Sequence, residues 1–341
     1  MMFFIIFLVF ISLMLIIDLG VFNKKDHIVS IKEATIWTFV WIGMAMLFGI
    51  FLLFKAEWIH GITNFENLLE FSKNAGFGNL ILPTIEYDEA LKIYRKEIFE
   101  QYIAGYFLEK SLSLDNIFVM LMVFISFGID KKYYHRVLFY GILLAIILRF
   151  VFIFLVGAIV AKFSFVLAIF GIILIWSGIK MFKKESNEKI DTKNHPIVKF
   201  SSKHFRVSPE LDGHNFITKI NGKLFLTPLM LVLLVIEFSD IVFAVDSIPA
   251  AFSVTTDSFV IYFSNIFAIM GLRSLFFLFS GINDKFWLLK YGLGVLLIFI
   301  GTKMIGHEFF GLEISTTISL FVILGILVFS ILFSLLIKNK K

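Results

Sequence analysis

The sequence contains no cysteine and little charge. Without cysteine the chain cannot form disulfides, thiolate metal sites or cysteine nucleophiles, so any metal that it binds must be held by oxygen or imidazole ligands. Charged residues make up 17% of the chain, against about 25% in an average soluble domain. This scarcity of charge argues against a soluble globular protein.

Apolar residues dominate instead, at 59% of the chain with a mean hydropathy of +0.92. Apolar runs recur that are about 20 residues long, the length that crosses a bilayer core. Such segments must be helices or closed barrels in lipid, and long uninterrupted apolar runs exclude the alternating pattern of a barrel. The first run lacks a basic leading region and a small-residue cleavage site, so it is predicted to be a membrane span rather than a signal peptide. The sequence therefore predicts an all-α integral membrane protein.

About nine transmembrane helices are predicted, joined by two long polar segments. The spans lie at about 2–22, 34–54, 100–128, 136–160, 164–182, 224–252, 258–281, 286–305 and 314–337. The predicted organisation is N-terminal transmembrane helices at 1–60, a polar extracytoplasmic loop with one short surface helix at 61–99, a three-helix unit at 100–182, a basic cytoplasmic loop at 183–223, a second three-helix unit at 224–305, and a C-terminal helix with a basic tail at 306–341.

Lysine and arginine concentrate in alternate loops. Nine lie between Lys183 and Lys223, and Lys338, Lys340 and Lys341 follow the last span. By the positive-inside rule the N-terminus is predicted to lie outside and the C-terminus in the cytoplasm. The 183–223 loop is read as a solvated segment that meets anionic lipid headgroups. No pattern of a folded basic surface is visible there, so no nucleic-acid partner is expected.

Two stretches of the chain repeat each other. Glu109, Asp115 and Asn116 have the same spacing as Asp240, Asp246 and Ser247, and in the next span of each half an arginine, Arg149 or Arg273, follows eight residues after Gly141 or Asn265. The third spans share glycines seven apart, Gly171 and Gly178 in one and Gly294 and Gly301 in the other, which favour close helix packing. Spans 3–5 and 6–8 are therefore predicted to be two inverted three-helix repeats, an arrangement typical of secondary transporters.

Five acidic residues lie within or near predicted membrane depth: Glu109, Asp115, Glu237, Asp240 and Asp246. Two arginines, Arg149 and Arg273, are the predicted charge partners, which leaves a formal charge of about −3. Each charge at the bilayer centre costs about 2.5–3.5 kcal/mol even on the most lenient scale. Protons or a bound cation are therefore expected to neutralise the remaining acids.

Carboxylates, with Asn116 and Ser247 added, form a ligand set that suits a hard divalent cation such as Mn²⁺, Mg²⁺ or Ca²⁺. Asp240 and Asp246 are six residues apart and would converge only if their helix were interrupted. Pro249 is predicted to mark that interruption, because proline opposes regular helix.

The segments GYFLEKSLSLDNIFV, TPLMLVLLVIEFSDIVFAVDSIPAAF and SNIFAIMGLRSLFFL resemble the TerC/Alx family of bacterial membrane proteins. The resemblance implies an inner-membrane protein associated with manganese export and tellurite resistance, with metal as substrate and no permanently bound cofactor. It also implies that the five acids above take part in metal transport. Residues 61–98 and the region after the eighth span depart from the family pattern.

The predicted function is export of a divalent cation, most simply Mn²⁺, in exchange for protons. A non-transporting membrane scaffold or metal sensor is the main alternative, and a third reading is that the acids only pair with arginines to hold helices together. An intramembrane aspartyl protease is disfavoured because the chain lacks the Gly-x-Gly-Asp signature, and no enzyme activity is predicted. Besides the lipid bilayer and the metal, a homo-oligomer or membrane-protein partner is left open.

Overall fold

The computed structural model describes residues 2–22, 29–74, 84–163, 165–182, 195–280, 288–312 and 314–336. Within these ranges the chain forms thirteen helices and one antiparallel two-stranded hairpin. The helices are α1 (Met2–Phe22), α2 (Ile31–Lys55), α3 (Glu57–His60), α4 (Phe65–Asn74), α5 (Tyr87–Ser126), α6 (Lys131–Lys162), α7 (Val166–Met181), α8 (Pro196–His204), α9 (Pro228–Phe252), α10 (Ser258–Met270), α11 (Leu272–Ser280), α12 (Leu289–Phe310) and α13 (Thr316–Leu336); the strands are β1 (Ile217–Ile220) and β2 (Lys223–Leu226).

Five of these helices, α2, α6, α9, α12 and α13, are long and apolar enough to cross a membrane. The pair α10 and α11, bent by 40° at its break, makes a sixth span if it counts as one. The first and fifth predicted spans coincide with α1 and α7, whose apolar stretches are shorter. The third predicted span lies in the 40-residue α5, whose first half is rich in charge. The all-α integral membrane class is therefore confirmed, whereas the count of nine spans stays a prediction.

Helix α10 lies at the centre of the bundle. Its side chains from Val260 to Met270 are all buried. Phe263 contacts Phe7 of α1 and Phe48 of α2, with ring centroids 4.4 and 5.6 Å apart. Each buried aromatic ring contributes a large apolar area and shape-specific contacts. The bundle thus encloses the helix that carries Asn265.

The helix break lies in a different place from the predicted one. Helix α9 continues through Pro249 and ends three residues later at Phe252, so the prediction that Pro249 interrupts the helix was wrong. Near a helix end, proline removes one backbone hydrogen bond without stopping the helix. The chain instead breaks at Gly271, where a Cβ atom would lie 2.7 Å from Lys110 Nζ and 3.1 Å from Trp41 Cβ.

The segment between the second and third predicted spans is more ordered than a solvated loop. It contains α3 and α4, and α5 begins at Tyr87, about 13 residues before the predicted start of the span. Arg95 donates two hydrogen bonds to Glu57, at 2.8 and 2.6 Å. His60 Nε2 lies 2.9 Å from Asp257 Oδ2, at the start of α10. These contacts fix the segment onto the helix bundle.

Replacing Arg95 with methionine should lower the thermal unfolding midpoint at neutral pH and have less effect at acid pH. Burial raises the pKa of Glu57, but the hydrogen bonds and charge of Arg95 outweigh it, so the net pKa is lowered below 4.5. A lowered carboxyl pKa contributes stability at neutral pH that is lost as the pH falls through the folded-state value. The expected loss is about 1 kcal/mol at pH 7. If the unfolding midpoints of wild type and Arg95→Met differ by the same amount at pH 7 and at about pH 3, the ion pair between Arg95 and Glu57 is not the cause.

The 183–223 segment was predicted to be a solvated loop without a folded surface. Most of its described residues are exposed, but the absence of folded structure was wrong for this part. Residues 195–227 form α8 and the hairpin, whose base contacts α6 through Phe216 and Tyr140, with ring centroids 5.2 Å apart. Asn221 and Gly222 both have positive φ, 52° and 75°. An Asn-Gly pair in this conformation is the preferred two-residue hairpin turn, so the sequence did contain a signal for this element.

Helices α7 and α12 pack in direct backbone contact through the predicted glycines. A Cβ atom on Gly171 would lie 2.8 Å from Gly301 O, and one on Gly178 would lie 2.7 Å from Gly294 O. The order of the pairs, 171 with 301 and 178 with 294, makes the two helices antiparallel. The predicted role of these glycines in close helix packing is thereby confirmed.

Substituting Gly301 with alanine should destabilise the protein by about 1–3 kcal/mol. Its Cβ atom would lie 2.5 Å from Gly171 O and 3.1 Å from the backbone nitrogen of Ile175, so the two helices would have to separate. Gly325 in α13 is the matched control, since a Cβ atom there meets nothing within 4 Å. Thermal unfolding in detergent should therefore show a lower midpoint for Gly301→Ala but not for Gly325→Ala.

Candidate intramembrane carboxylate site

Four central helices, α5, α6, α9 and α10, bring one polar side chain each to a common point. Arg149 Nη1 of α6 lies 2.7 Å from Glu109 Oε1 of α5 and donates a 2.5 Å hydrogen bond to Asn265 Oδ1 of α10. Arg149 Nη2 lies 3.8 Å from Asp240 Oδ1 of α9. Glu109 and Asp240 occupy matching positions in the two predicted repeats, so one guanidinium joins both halves of the chain.

These charges are almost completely withdrawn from solvent. Arg149 is 1% exposed, Glu109 2% and Asp240 6%. Desolvating an ion costs several kcal/mol, and a buried pair recovers that cost only with close geometry and further hydrogen bonds. Some of those bonds are present: Asn116 donates to Asp240 Oδ1 at 3.2 Å, and Ser113 lies 3.5 Å from Glu109 Oε1.

Glu237 lies one turn before Asp240 on the same face of α9 and is 7% exposed. Within the described residues its Oε2 atom has no hydrogen-bond partner. Gly141 on α6 leaves space for it, because a Cβ atom there would lie 3.2 Å from Glu237 Oε1. A buried carboxylate without a cation beside it is costly unless it takes up a proton or binds a positive ion.

A small cavity opens between these helices, with a volume of about 10 Å³, close to that of one water molecule. Asn116, Glu237, Asp240 and Arg149 line it, together with apolar residues of α6, α9 and α10. The Oδ1 atom of Asn116 and the Oε2 atom of Glu237 are both buried and lack hydrogen-bond partners in the described part of the chain. The cavity is therefore lined by oxygen atoms that can accept a proton or ligate a cation.

The other predicted site residues lie away from this centre or outside the description. Asp246 accepts a 2.8 Å hydrogen bond from Ser177 of α7, on a different side of α9 from Asp240. Ser247 is buried, and its Oγ atom lacks a hydrogen-bond partner among the described residues. Arg273 is buried in α11 and lies 3.2 Å from His135 Nε2. Asp115 is within α5, but its side chain lies outside the described residues.

In the described ranges, no three Asp, Glu or His side chains cluster closely enough to hold a metal ion. The four-helix centre instead holds Glu109 and Asp240 apart with Arg149 between them. In this arrangement one internal cation, Arg149, is shared by two of the acids.

Two residues of this region were not predicted as parts of a site. Asn265 entered the sequence analysis only as the counterpart of Gly141, yet it binds Arg149. Lys110 Nζ is directed to Ala268 O at 3.0 Å, where the break at Gly271 exposes the C-terminal carbonyls of α10. A cation is favourable at a helix C-terminus. The eight-residue spacing from Asn265 to Arg273 was the signal that could have identified Asn265.

Comparison with known proteins agrees with the resemblance seen in the sequence. The family model described as integral membrane protein TerC family matches residues 94–341. An uncharacterized membrane protein of Myxococcus xanthus is 39% identical over 98% of this chain and 92% of its own length. A protein of Escherichia coli with the provisional name membrane-bound redox modulator Alx is 37% identical over 94% of this chain and 90% of its own.

An uncharacterized membrane protein of Rickettsia felis is 37% identical, with 98% of both chains covered. No solved structure matches the chain. The family match extends over the acids of both halves and over most of the helices that form the carboxylate site. The chain therefore belongs to the TerC family of integral membrane proteins.

Proposed function

We propose that this protein is a secondary transporter that exports a divalent cation, most simply Mn²⁺, across the bacterial inner membrane. The observation that carries the proposal is the buried centre, where Glu109 and Asp240 share Arg149 while Glu237 lies close by with an unpaired oxygen. Three acids and one arginine give a formal charge of −2 in that centre. Intramembrane ionisable groups of this kind mark ion pathways more often than they serve structure alone.

The donor chemistry favours a hard cation. Carboxylate oxygens and the amide oxygen of Asn116 suit Mn²⁺, Mg²⁺ and Ca²⁺, and the absence of cysteine from the sequence removes the thiolate ligands that softer metals prefer. The choice of Mn²⁺ comes from the TerC/Alx resemblance. Asp115, Asp246 and Ser247 are proposed as further metal ligands along the pathway, and Arg273 as a supporting charge partner.

A nine-span topology with two inverted repeats is the proposed framework. Contacts at opposite ends of the bundle support it. At the proposed outer end His60 contacts Asp257 and Glu100 bonds Thr317, and at the proposed inner end the Tyr133 ring makes an edge contact with His214. The glycine contact supports it too, because α7 and α12, the third helices of the two proposed repeats, run antiparallel as inverted repeats require. The basic residues Lys338, Lys340 and Lys341, used to orient the C-terminus, lie outside the described residues.

Transport would proceed by rocking one half against the other around the central carboxylates. The present cavity of about 10 Å³ is too small for a hydrated cation, so this structure corresponds to an occluded state. Glu237 is the proposed carrier of the exchanged proton, because it is buried without a cation partner in the described region, whereas Glu109 and Asp240 already share Arg149.

A non-transporting scaffold or sensor is the second candidate. The folded cytoplasmic segment of α8 and the hairpin, and the ordered outer segment of α3 and α4, favour it because both present surfaces beyond the membrane. The relative's name refers to redox modulation; in this cysteine-free chain, such an effect cannot arise through thiol exchange by its own residues.

Total cellular manganese, measured by elemental mass spectrometry after manganese challenge, tests the proposal. A deletion strain would be compared with strains that carry wild type or Asp240→Asn at matched membrane expression. Export predicts that the deletion and variant strains accumulate manganese and the wild type does not. Equal manganese in all three would favour the scaffold.

A further inference from the structure

Arg149 contacts its partners unequally. Its Nη1 atom is held by Glu109 at 2.7 Å and by Asn265 at 2.5 Å, whereas its Nη2 atom reaches Asp240 only at 3.8 Å. An N–H···O hydrogen bond normally spans 2.7–3.2 Å. Among the side chains that the structure describes, the guanidinium is therefore anchored at its Nη1 end and only loosely paired at its Nη2 end.

The partner of the loosely paired end lines the cavity, whereas Glu109 and Asn265, the partners of the anchored end, do not. Asp240, Asn116 and Glu237 line the cavity with Arg149, whereas Glu109 is not among the lining residues. Among these residues Asn116 Oδ1 and Glu237 Oε2 lack partners within the described structure. Moving the Nη2 end of Arg149 away from Asp240 would thus free a third oxygen ligand beside two that are already unpaired.

We propose that Arg149 is a tethered cation that covers Asp240 whenever the metal is absent, and that the metal displaces it to bind Asp240, Glu237 and Asn116. This proposal rests on the proposed transport function, and it gives Glu109 and Asp240 different roles. Glu109 and Asn265 hold Arg149 in place throughout, and Asp240 alternates between arginine and metal. Arg149 is thereby a positioning residue that decides whether the empty carrier can return.

The physical reason lies in the cost of an empty carrier. After the metal leaves, Asp240 would be a buried carboxylate with no cation, and an uncompensated buried charge is strongly destabilising. Arginine suits the task because its planar guanidinium offers several donors in one fork and keeps its charge when buried. A lysine at this position presents a single point charge, which cannot contact Glu109 and Asn265 on one side and Asp240 on the other equally well.

Two flux assays on purified protein in liposomes test the proposal. The first measures exchange of radiolabelled Mn²⁺ with Mn²⁺ on both sides, where the carrier is always loaded. The second measures net Mn²⁺ movement into metal-free liposomes, where the carrier must return empty. In Arg149→Gln the rate of Mn²⁺ exchange should stay within about threefold of the wild type. The rate of net Mn²⁺ movement should fall by about tenfold or more, because the empty carrier loses the charge-assisted contact to Asp240. The Mn²⁺ affinity of the variant should rise, because the competing cation is gone.

Arg149→Lys should recover part of the net Mn²⁺ movement that Arg149→Gln loses. If Arg149→Gln does not fold, the same two assays are made on Arg149→Lys. Equal loss of exchange and net movement in a folded variant would overturn the proposal and make Arg149 structural. Unchanged net movement would overturn it as well. Absence of both fluxes in the wild type would instead overturn the transport function itself, and this inference with it.

Discussion

Asp240→Asn should reduce Mn²⁺ transport by at least about tenfold while leaving the protein folded. The asparagine keeps an oxygen that can accept the 3.2 Å hydrogen bond from Asn116, so the local shape changes little. It removes the negative charge that Arg149 contacts at 3.8 Å and that the cation is proposed to bind. The loss should appear in exchange as well as in net flux, which distinguishes this variant from Arg149→Gln.

Glu100→Gln is the matched control for that experiment. Glu100 is also a buried carboxylate, nine residues before Glu109 on α5, but it bonds Thr317 near the outer end of the bundle. Its replacement should leave Mn²⁺ flux close to that of the wild type. Equal flux losses in Glu100→Gln and Asp240→Asn would show that any buried acid is required for folding, and would contradict a specific role for Asp240.

Glu237→Gln should abolish the response of transport to a pH gradient, the second large effect. Glu237 is buried beside Asp240 with an unpaired oxygen, so it is the proposed carrier of the exchanged proton. A glutamine there cannot gain or lose a proton near neutral pH. Net Mn²⁺ movement driven by a pH difference of about 2 units should fall by roughly tenfold or more, since that gradient is worth about 2.7 kcal/mol per proton.

The same variant should keep a measurable part of its Mn²⁺ exchange, which needs no net proton movement. Asp246→Asn is a useful comparison on the same helix, because Asp246 bonds Ser177 on another side of α9 and does not line the cavity. If Glu237→Gln retains a full response to the pH gradient, the exchanged proton is carried elsewhere, and Asp246 becomes the next residue to examine.

Much of the framework could be predicted from the sequence because membrane helices leave a strong local signal. Length and hydropathy placed α2, α6, α9, α12 and α13, and the glycine spacing predicted close helix packing at α7 and at α12, although not that these two helices contact each other. Glu109, Asp240 and Arg149 could also be singled out from the sequence, since charges stand out in an apolar run, and all three are buried in the bundle.

Other features depend on tertiary contacts that no local pattern records. The break at Gly271 arises where Lys110 and Trp41 approach the backbone, and a glycine inside an apolar run does not reveal its neighbours. Asp246 is separated from Asp240 because α9 is continuous through both residues and through Pro249, which does not interrupt it. The order of the outer segment depends on pairs far apart in sequence, such as Glu57 with Arg95.

The site itself was predicted as one cluster of five acids around a metal. The described structure brings Glu109 and Asp240 to Arg149, places Glu237 beside them and directs Asp246 to α7. Residue types could not predict this division, because it depends on the rotation of each helix in the bundle. The choice between an internal cation and a metal at Asp240 likewise depends on the reach of one arginine side chain.

The most direct measurement is Mn²⁺ flux through the purified wild-type protein in liposomes with an imposed pH gradient. The transport account predicts saturable Mn²⁺ movement that depends on the direction of the gradient and is lost in Asp240→Asn at equal protein content. Flux equal to that of protein-free liposomes, from protein that unfolds cooperatively on heating, would contradict it.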